Sequence, residues 1–350
     1  MNTDIKKITL AHGAGGTKHR ELIEKIFVPR FGNPELCKLA DGAVLNLEGG
    51  DYAFTTDTHV IEPIFFSGGD IGKLAVCGTI NDLAMSGATP LYLSAGFILE
   101  EGLLLADLER VVVSMAETAR AAGVPVVTGD TKVVDHGKAD RLFINTAGVG
   151  VVPAGVDVSS ARVGPGDVVI VSGAVGDHGI TIMCQREGLR FDSPLVSDCA
   201  PLHGLVGAML RAASALHSAG DETRAEMIHC MRDPTRGGLA TTLCEVAGRS
   251  RVGIEIDEVA IPVRDEVRAA CEMLGLDPLY VANEGKLVAF VAPEAAEQVV
   301  AAMRAHEYGR SAAVVGRVTD GHAGRVVLRT RLGARRIVDM LVGEQLPRIC

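Results

Sequence analysis

The sequence contains no tryptophan, and aromatic residues make up only 4% of its 350 residues. Hydrophobic residues nevertheless account for 47%, too large a share for intrinsic disorder, so alanine, valine, leucine and isoleucine must build the cores. No segment approaches the roughly 20 apolar residues of a membrane span, and residues 1–16 lack the apolar stretch of a signal peptide. We therefore expect a soluble, cytoplasmic protein with no membrane partner.

Positive charge is also scarce. The chain has 34 Lys and Arg against 44 Asp and Glu, a formal net charge of −10, and no basic run offsets this locally. Because such a surface repels a phosphate backbone, nucleic acid is not an expected partner. The eight cysteines never form a CxxC pair and mostly have apolar neighbours, which predicts reduced thiols rather than disulfides or a zinc site.

Two common phosphate-binding signatures are missing as well. The segment 12–18 (HGAGGTK) has the wrong order for a P-loop, because its lysine follows threonine, and 67–74 (SGGDIGKL) fails at its first glycine and last residue. The segment 148–153 (GVGVVP) lacks the third glycine of a dinucleotide fingerprint. The loop around Gly15 and Gly16 could still present N–H groups to phosphate, but a plain flexible turn explains it equally well.

Hydrophobic periodicity predicts a chain of the α+β class. Its helices are expected at 70–87, 104–122, 177–188, 201–218, 235–249, 264–274 and 294–305, the second ending at Gly123. Strands are expected at 7–10, 43–47, 52–60, 91–99, 141–152, 168–171, 252–256 and 286–292, with closing strands after them.

Turn residues predict where this chain divides. A glycine- and proline-rich cluster places a boundary near residue 155, which gives two domains, 1–155 and 156–335. Residues 335–340 could still form a strand, but the last eight residues have no period and contain Gly and Pro. We expect a mobile tail at 336–350.

A cysteine, Cys350, is the last residue of the sequence. A thiol on a mobile tail is exposed to oxidation and can reach several sites, so we interpret it as functional rather than as an incidental end residue. Arg348 should favour the thiolate, although the terminal carboxylate opposes it. The position excludes a prenyl anchor, which requires a cysteine four residues from the end.

A second feature is a set of acidic residues in short Gly- and Thr-rich contexts: Asp41, Asp57, Asp82, Asp130 and Asp233. Carboxylates gathered from several loops suit magnesium-bridged ATP, because Mg²⁺ prefers carboxylate and phosphate oxygens. Each one alone is more simply a turn or cap residue. Asp82 is the strongest candidate, since it lies in an apolar helix with no Lys or Arg three or four residues away.

Eight segments together resemble one family. They are GAGGTKHRELI (13–23), DGAVL (41–45), FTTDTHV (54–60), GGDIGKLAVCGTINDLAMSGATPLYLS (68–94), TGDTKVV (128–134), DPTRGGLAT (233–241), ANEGK (282–286) and the terminal PRIC. This combination is similar to the HypE family of nickel–iron hydrogenase maturation, carbamoyl dehydratases with the fold of aminoimidazole ribonucleotide synthetase (PurM). The resemblance spans essentially the whole chain.

The resemblance implies a two-domain PurM-like architecture, a homodimer formed through the first domain, and ATP in a cleft lined by the aspartate loops. It also implies partners and a reaction. A HypF-type carbamoyltransferase would load a carbamoyl group onto Cys350, this protein would use ATP to dehydrate it to a thiocyanate, and cyanide would pass to iron on a HypC–HypD complex.

The resemblance also suggests roles for individual residues. ATP and Mg²⁺ would be held by Asp41, Asp57, Asp82, Asp130 and Asp233, of which all but Asp130 are candidate metal ligands. Asn283, Gly15 and Gly16 would contact the nucleotide. Lys132 and Glu284 would contact the carbamoyl group or accept its protons, with Cys350 as the carrier.

Two other interpretations remain open. One is another ATP-dependent enzyme of the same superfamily, either a selenophosphate synthetase or a thiamine-phosphate kinase. Against the synthetase, the first cysteine here is Cys37, well beyond the glycine-rich loop. Against the kinase, such an enzyme has no use for a terminal cysteine. The other is a non-catalytic scaffold whose tail only docks partner proteins. The loop aspartates argue against the scaffold.

Overall fold

The computed structural model describes residues 16–31, 34–189, 195–215, 227–341, 343, 346 and 348–350. Its strands form two large sheets and a two-stranded ribbon. Strands that precede residue 153 form the first sheet and the ribbon, and strands that follow residue 167 form the second. Among the described residues, no helix is both long and apolar enough to cross a membrane.

The first sheet has five strands in the order β1-β2-β7-β5-β6, antiparallel except for the β5–β6 pair. Its strands and those of the ribbon are β1 (Ala43–Leu47), β2 (Gly50–His59), β3 (Phe65–Phe66), β4 (Gly69–Asp70), β5 (Thr89–Glu100), β6 (Val126–Val134) and β7 (Leu142–Val152). The helices of this half are α1 (Thr17–Leu22), continued by a π-helical turn (Ile23–Phe27), then α2 (Val28–Phe31), α3 (Pro34–Cys37), α4 (Ile71–Met85) and α5 (Leu105–Ala122).

Helix α4 packs against elements of both halves of the chain, including β2 and β7 of the first half and the helix His203–Ser214 and the strand Ile228–Arg232 of the second. Its sequence is apolar on all sides, and nearly every residue in it is buried, as expected of a helix without a polar face. The Asp70 carboxylate begins it by accepting the N–H groups of Gly72 and Lys73 at 2.8 and 2.9 Å. A polar side chain on such a helix needs a partner, which makes its few polar residues informative.

The second sheet has seven strands in the order β14-β13-β10-β12-β8-β11-β9. They are β8 (Val168–Val171), β9 (Ile228–Arg232), β10 (Gly253–Asp257), β11 (Val288–Val291), β12 (Ala313–Thr319), β13 (Val326–Arg329) and β14 (Arg335–Val338). The helices of this half are α6 (Asp177–Glu187), α7 (His203–Ser214), α8 (Gly238–Ser250), α9 (Asp265–Leu274) and α10 (Pro293–Ala305).

Alternating side chains of this second sheet supply two separate cores. Val169 and Phe290 point into the core that contains α8, whereas Ile170 and Val291 point into the core that contains α7 and α10. Successive side chains of a strand point to opposite faces of the sheet, and both faces are covered here. The sequences of β8 and β11 are therefore continuously apolar.

The predicted α+β class and its main elements are confirmed, with ends shifted by a few residues. Helix α5 ends at Gly123 in the left-handed region (φ +72°), as predicted. The sequence did not indicate β9 or the helical stretch from Thr17 to Phe31, and the strand predicted at 7–10 lies outside the described residues. The predicted start of the tail at residue 336 is wrong, because residues 336–338 pair with β13 as part of β14.

Candidate active site between the two halves of the chain

A buried asparagine on α4 connects the two halves. Asn81 is 1% exposed, and its Nδ2 donates to the carbonyls of Ala200 (3.1 Å) and Glu284 (3.2 Å). Its Oδ1 accepts the N–H of Leu202 at 2.7 Å. Three main-chain groups of the second half are thereby satisfied by one side chain of the first. This arrangement holds Glu284 beside the helix that carries Asp82.

Asp82, Asp57 and Asp233 form an acidic cluster at this junction. The pKa of Asp82 is raised well above its usual value, first by burial and then by the negative charges of Asp233, Asp57 and Asp41. Burial raises the pKa of Asp233 to about 7, again with Asp41 contributing. Thr55 Oγ1 donates to Asp82 Oδ2 at 2.8 Å, which opposes the shift only in part. Carboxylates that raise each other's pKa in this way favour a bound cation.

Asp41, predicted as a metal ligand, is already paired. Arg232 Nε lies 2.8 Å from Asp41 Oδ2, and Arg232 Nη2 donates to Glu245 Oε2 at 3.2 Å. Burial still raises the pKa of Asp41 in spite of this arginine. The residues border a cavity of about 410 Å³, also lined by His19, Phe54 and Arg249. Asp41 is therefore part of a charged network, and the expectation of a free metal ligand at this position is not supported.

The described part of the chain holds no ready-made group of three His, Cys, Asp or Glu side chains that could bind a metal ion alone. The hard oxygen donors of Asp57, Asp82 and Asp233 still fit magnesium, since Mg²⁺ commonly takes one or two carboxylates and completes its shell with phosphate and water. The acidic cluster therefore suits a magnesium–nucleotide complex better than an isolated ion.

The structure does not bring Asp130 and Lys132 to this cluster within one chain. Across the sheet, Asp130 lies in the same row of paired residues as Gly96, Asn145 and Thr58. Asp57 lies in the neighbouring row, one residue before Thr58. Since strand side chains alternate, Asp130 and Lys132 lie on the exposed face opposite to α4. Lys132 Nζ pairs with Asp130 Oδ2 at 2.6 Å, and both side chains are largely exposed.

Two of the predicted nucleotide contacts have other roles in the structure. The Asn283 side chain is fully buried, its Oδ1 accepts Gly176 N–H at 2.7 Å, and its Nδ2 donates to the carbonyls of Pro234 and Val281. Asn283 therefore braces the Asp233 loop, and its amide is fully occupied. A Cβ on Gly16 would collide with the carbonyl oxygen of Leu341, so close packing explains this glycine. Gly15 lies outside the described residues.

The end of the chain is inserted at this junction. Ile349 is 3% exposed and packs into the core around α4, with Cys350 against the same core. Val60 N–H donates to an oxygen of the Cys350 terminal carboxylate at 3.0 Å, and Glu62 N–H donates to the carbonyl of Arg348 at 3.3 Å. The terminal residues, predicted to be mobile, are thus held in this structure by main-chain hydrogen bonds.

Arg236 is the functional candidate that sequence reasoning missed. The pKa of Cys350 is raised to about 12, first by burial; the charge of Arg236 opposes this rise, and the charges of Glu284, Asp57 and Asp233 add to it. The pKa of Arg236 is raised first by Cys350, then by Asp57 and Glu284. The predicted role of Arg348 is wrong, because its guanidinium pairs with Asp140 and the carbonyl of Val60. Arg236 lies in the same motif as Asp233, which was the available signal.

Comparisons with known proteins place this architecture in a class. Two family models match, AIR synthase related protein, N-terminal domain, over residues 39–152, and AIR synthase related protein, C-terminal domain, over residues 164–329. Together they cover most of the chain, so the protein is a two-domain member of the AIR synthase related proteins.

Relatives with higher sequence identity identify the family within this class. Carbamoyl dehydratase HypE of Rhizobium leguminosarum bv. viciae is 55% identical over 344 residues, which cover 98% of this chain and 95% of the relative. A chain in the crystal structure of a HypE–HypF complex has a TM-score of 0.84 and 46% identity, over 91% of this chain and 99% of that one. A HypE crystallised with ATP has a TM-score of 0.79 and 48% identity, over 98% of this chain and 100% of that one. The chain belongs to the carbamoyl dehydratase HypE family, which confirms the resemblance and the PurM-like fold.

Proposed function

We propose that the protein uses ATP to dehydrate a carbamoyl group carried on Cys350, which converts an S-carbamoyl cysteine into a thiocyanate. The observation that carries this proposal is the position of the Cys350 thiol, which lies in the electrostatic field of Arg236, Glu284, Asp57 and Asp233. The carrier residue thereby meets the carboxylates that suit a magnesium–nucleotide complex. Relatives named carbamoyl dehydratase, and a HypE crystallised with ATP, support the same assignment.

The reaction needs ATP because the carbamoyl oxygen is a poor leaving group. In the proposed sequence this oxygen attacks the γ-phosphorus, ADP leaves, and the oxygen then departs from carbon as phosphate. The nitrogen loses two protons as the carbon–nitrogen triple bond forms. The products are thiocyanate, ADP and phosphate, so the oxygen of the lost water ends in phosphate.

Asp57, Asp82 and Asp233 would hold the magnesium that accompanies the nucleotide. When bound, Mg²⁺ supplies charge stabilisation to the transferring phosphoryl group. The raised pKa values of Asp82 and Asp233 would then fall, because a nearby cation favours the ionised carboxylate. Asp41 acts indirectly, since Arg232 holds it beside this cluster.

Glu284 is the best-placed residue for proton transfer. Its side chain is 4% exposed, its Oε1 has no hydrogen-bond partner among the described residues, and burial raises its pKa well above the usual value. Burial thus favours the protonated form, which can donate a hydrogen bond to the carbamoyl group. Acceptance of an N–H proton requires the ionised form, which the positive charge of Arg236 favours.

A second copy of this chain would give Lys132 and Asp130 a place in the reaction. Their face of the five-stranded sheet also carries the exposed hydrophobic side chains of Phe54, Tyr92 and Ile98. Exposed apolar groups on a sheet face favour association, so this face is the proposed homodimer interface. Lys132 would then reach the carbamoyl group in the partner's cleft rather than in its own.

Two further partners complete the proposal. A HypF-type carbamoyltransferase loads Cys350, and the HypE–HypF crystal structure supports a contact of this kind. The cyanide then passes to iron on a HypC–HypD complex. Both steps act on the terminal thiol, so both require the end of the chain to leave the position described above.

Mass spectrometry tests this proposal directly. The protein is incubated with a HypF-type carbamoyltransferase, carbamoyl phosphate and ATP, then cleaved after Glu344 to release the peptide 345–350. We expect a carbamoyl adduct on Cys350 that loses one water only when ATP is present. The matched controls are Cys350→Ser and Cys37→Ser, the latter at an exposed cysteine outside the site. An unmodified Cys350 under conditions that load a known HypE would refute the proposal.

A further inference from the structure

A histidine outside the acidic cluster contacts the inserted end of the chain. His178 is fully buried at the start of α6, and its Nε2 lies 2.7 Å from the carbonyl oxygen of Ile349. Its Nδ1 lies 2.8 Å from the hydroxyl of Ser197, and its ring packs edge-on against Phe66. The residue therefore touches the main chain directly before Cys350.

The hydrogen bonds around His178 determine which nitrogen carries the proton. Ser197 Oγ accepts the N–H of Cys199 at 3.1 Å, so its own hydrogen is free to be donated to His178 Nδ1. A carbonyl oxygen can only accept, so Nε2 must carry the hydrogen that faces Ile349. Burial lowers the pKa of His178, which favours this neutral form. The ring is thus a fixed single donor aimed at the end of the chain.

A second residue of α6 contacts the same segment. Arg186 Nη2 donates to the carbonyl of Arg348 at 2.5 Å, and Arg186 Nε donates to the carbonyl of Glu62 at 2.6 Å. Helix α6 therefore binds two successive carbonyls before Cys350. Because these contacts are to the main chain, they fix how far the end of the chain reaches without depending on the chemistry of the thiol.

We propose that His178 is a positioning residue for the reaction, a donor that holds the Ile349 carbonyl and so places the group on Cys350 in the site. The proposal rests on the proposed dehydration. His178 acts through the main chain of Ile349, with Ser197 setting its tautomer and Arg186 binding the neighbouring carbonyl. Loss of the Nε2 donor would shift the end of the chain towards the exposed position, where loading occurs.

Alkylation of Cys350 tests the placement without any catalytic turnover. The probe is iodoacetamide, with the peptide 345–350 followed by mass spectrometry. A neutral hydrogen bond contributes about 1 kcal/mol, so His178→Leu should raise the alkylation rate of Cys350 about fivefold. His178→Gln retains a donor near the Nε2 position and should restore much of the protection. Thr181→Val is the matched control, since its hydroxyl donates within α6, to the carbonyl of Asp177.

Single-turnover dehydration of preloaded Cys350 gives the second measurement. His178→Leu should slow this step by a similar factor while the loading rate stays unchanged or rises. General damage to the fold would slow both steps, so it would not produce this difference. Equal alkylation rates for His178→Leu and Thr181→Val would overturn the positioning role. If the wild-type chain loses no water with ATP, the proposed function fails, whereas the alkylation result still decides whether His178 holds the chain end.

Discussion

Replacement of Asn81 by alanine tests whether α4 holds the two halves together at the site. The substitution leaves the carbonyls of Ala200 and Glu284 and the N–H of Leu202 buried without their partner. Each unsatisfied group costs about 1–3 kcal/mol, and partial relaxation brings the expected total to about 3–5 kcal/mol. Stabilities of single domains are about 5–15 kcal/mol, so this loss would be large.

Urea unfolding followed by circular dichroism measures the effect. The matched control is Asn46→Ala, the same substitution at an exposed residue whose Nδ2 donates to Asp51 Oδ1. We expect the control to change the free energy of unfolding by less than about 1 kcal/mol. Asn81→Ala should also slow dehydration of preloaded Cys350, because Glu284 loses its fixed position. If the two variants have equal stability, Asn81 does not join the halves as argued.

Four further predictions follow from the same contacts. Asp82→Asn should lower ATP turnover about 100-fold or more. The melting temperature should stay unchanged or rise, since burial penalises the ionised carboxylate. Normal ATP turnover would contradict the assignment of Asp82 to the magnesium–nucleotide site. The free energy of unfolding of the ligand-free protein should fall from about pH 4 to 7, because Asp233 keeps its proton up to a pKa of about 7 only when folded. Asp233→Asn should flatten that titration, and an unchanged slope would exclude Asp233 as its source. Asp70→Ala should cost about 1–2 kcal/mol by removing the α4 cap, as thermal unfolding would record; no loss would contradict the capping role. Tyr92→Glu should convert a dimer into a monomer in sedimentation, whereas a persistent dimer would exclude this sheet face.

The sequence alone predicted much of the fold because its main elements carry strong local signals. Helix α4 is a long apolar run behind a capping aspartate, and α5 ends at a glycine, so both could be located to within a residue or two. Asp82 could be singled out for a local reason as well, since no basic residue lies nearby on its helix. The N-terminal helices and β9 have weaker periodicity and were missed.

The site was predicted less well because its decisive contacts are distant in sequence. Asp41 looked like a free loop carboxylate, yet its partner Arg232 belongs to the other half of the chain. Asp130 looked equivalent to Asp57, and only the register through β7 and β5 places their side chains on opposite faces. Asn283 looked like a ligand contact, but tertiary structure commits its amide to backbone groups.

The environment of Cys350 also determines where the two chemical steps, loading and dehydration, take place. In the inserted position the pKa of the thiol is about 12, so at neutral pH it is protonated and a poor nucleophile. Attack on a carbamoyl donor is therefore disfavoured where the chain end now lies, and loading must take place outside the site. Once the sulfur carries a carbamoyl group it has no proton to lose, and burial no longer opposes a charge on it. The same burial that prevents loading in the site then favours the dehydration step, because it excludes water from the phosphorylated intermediate.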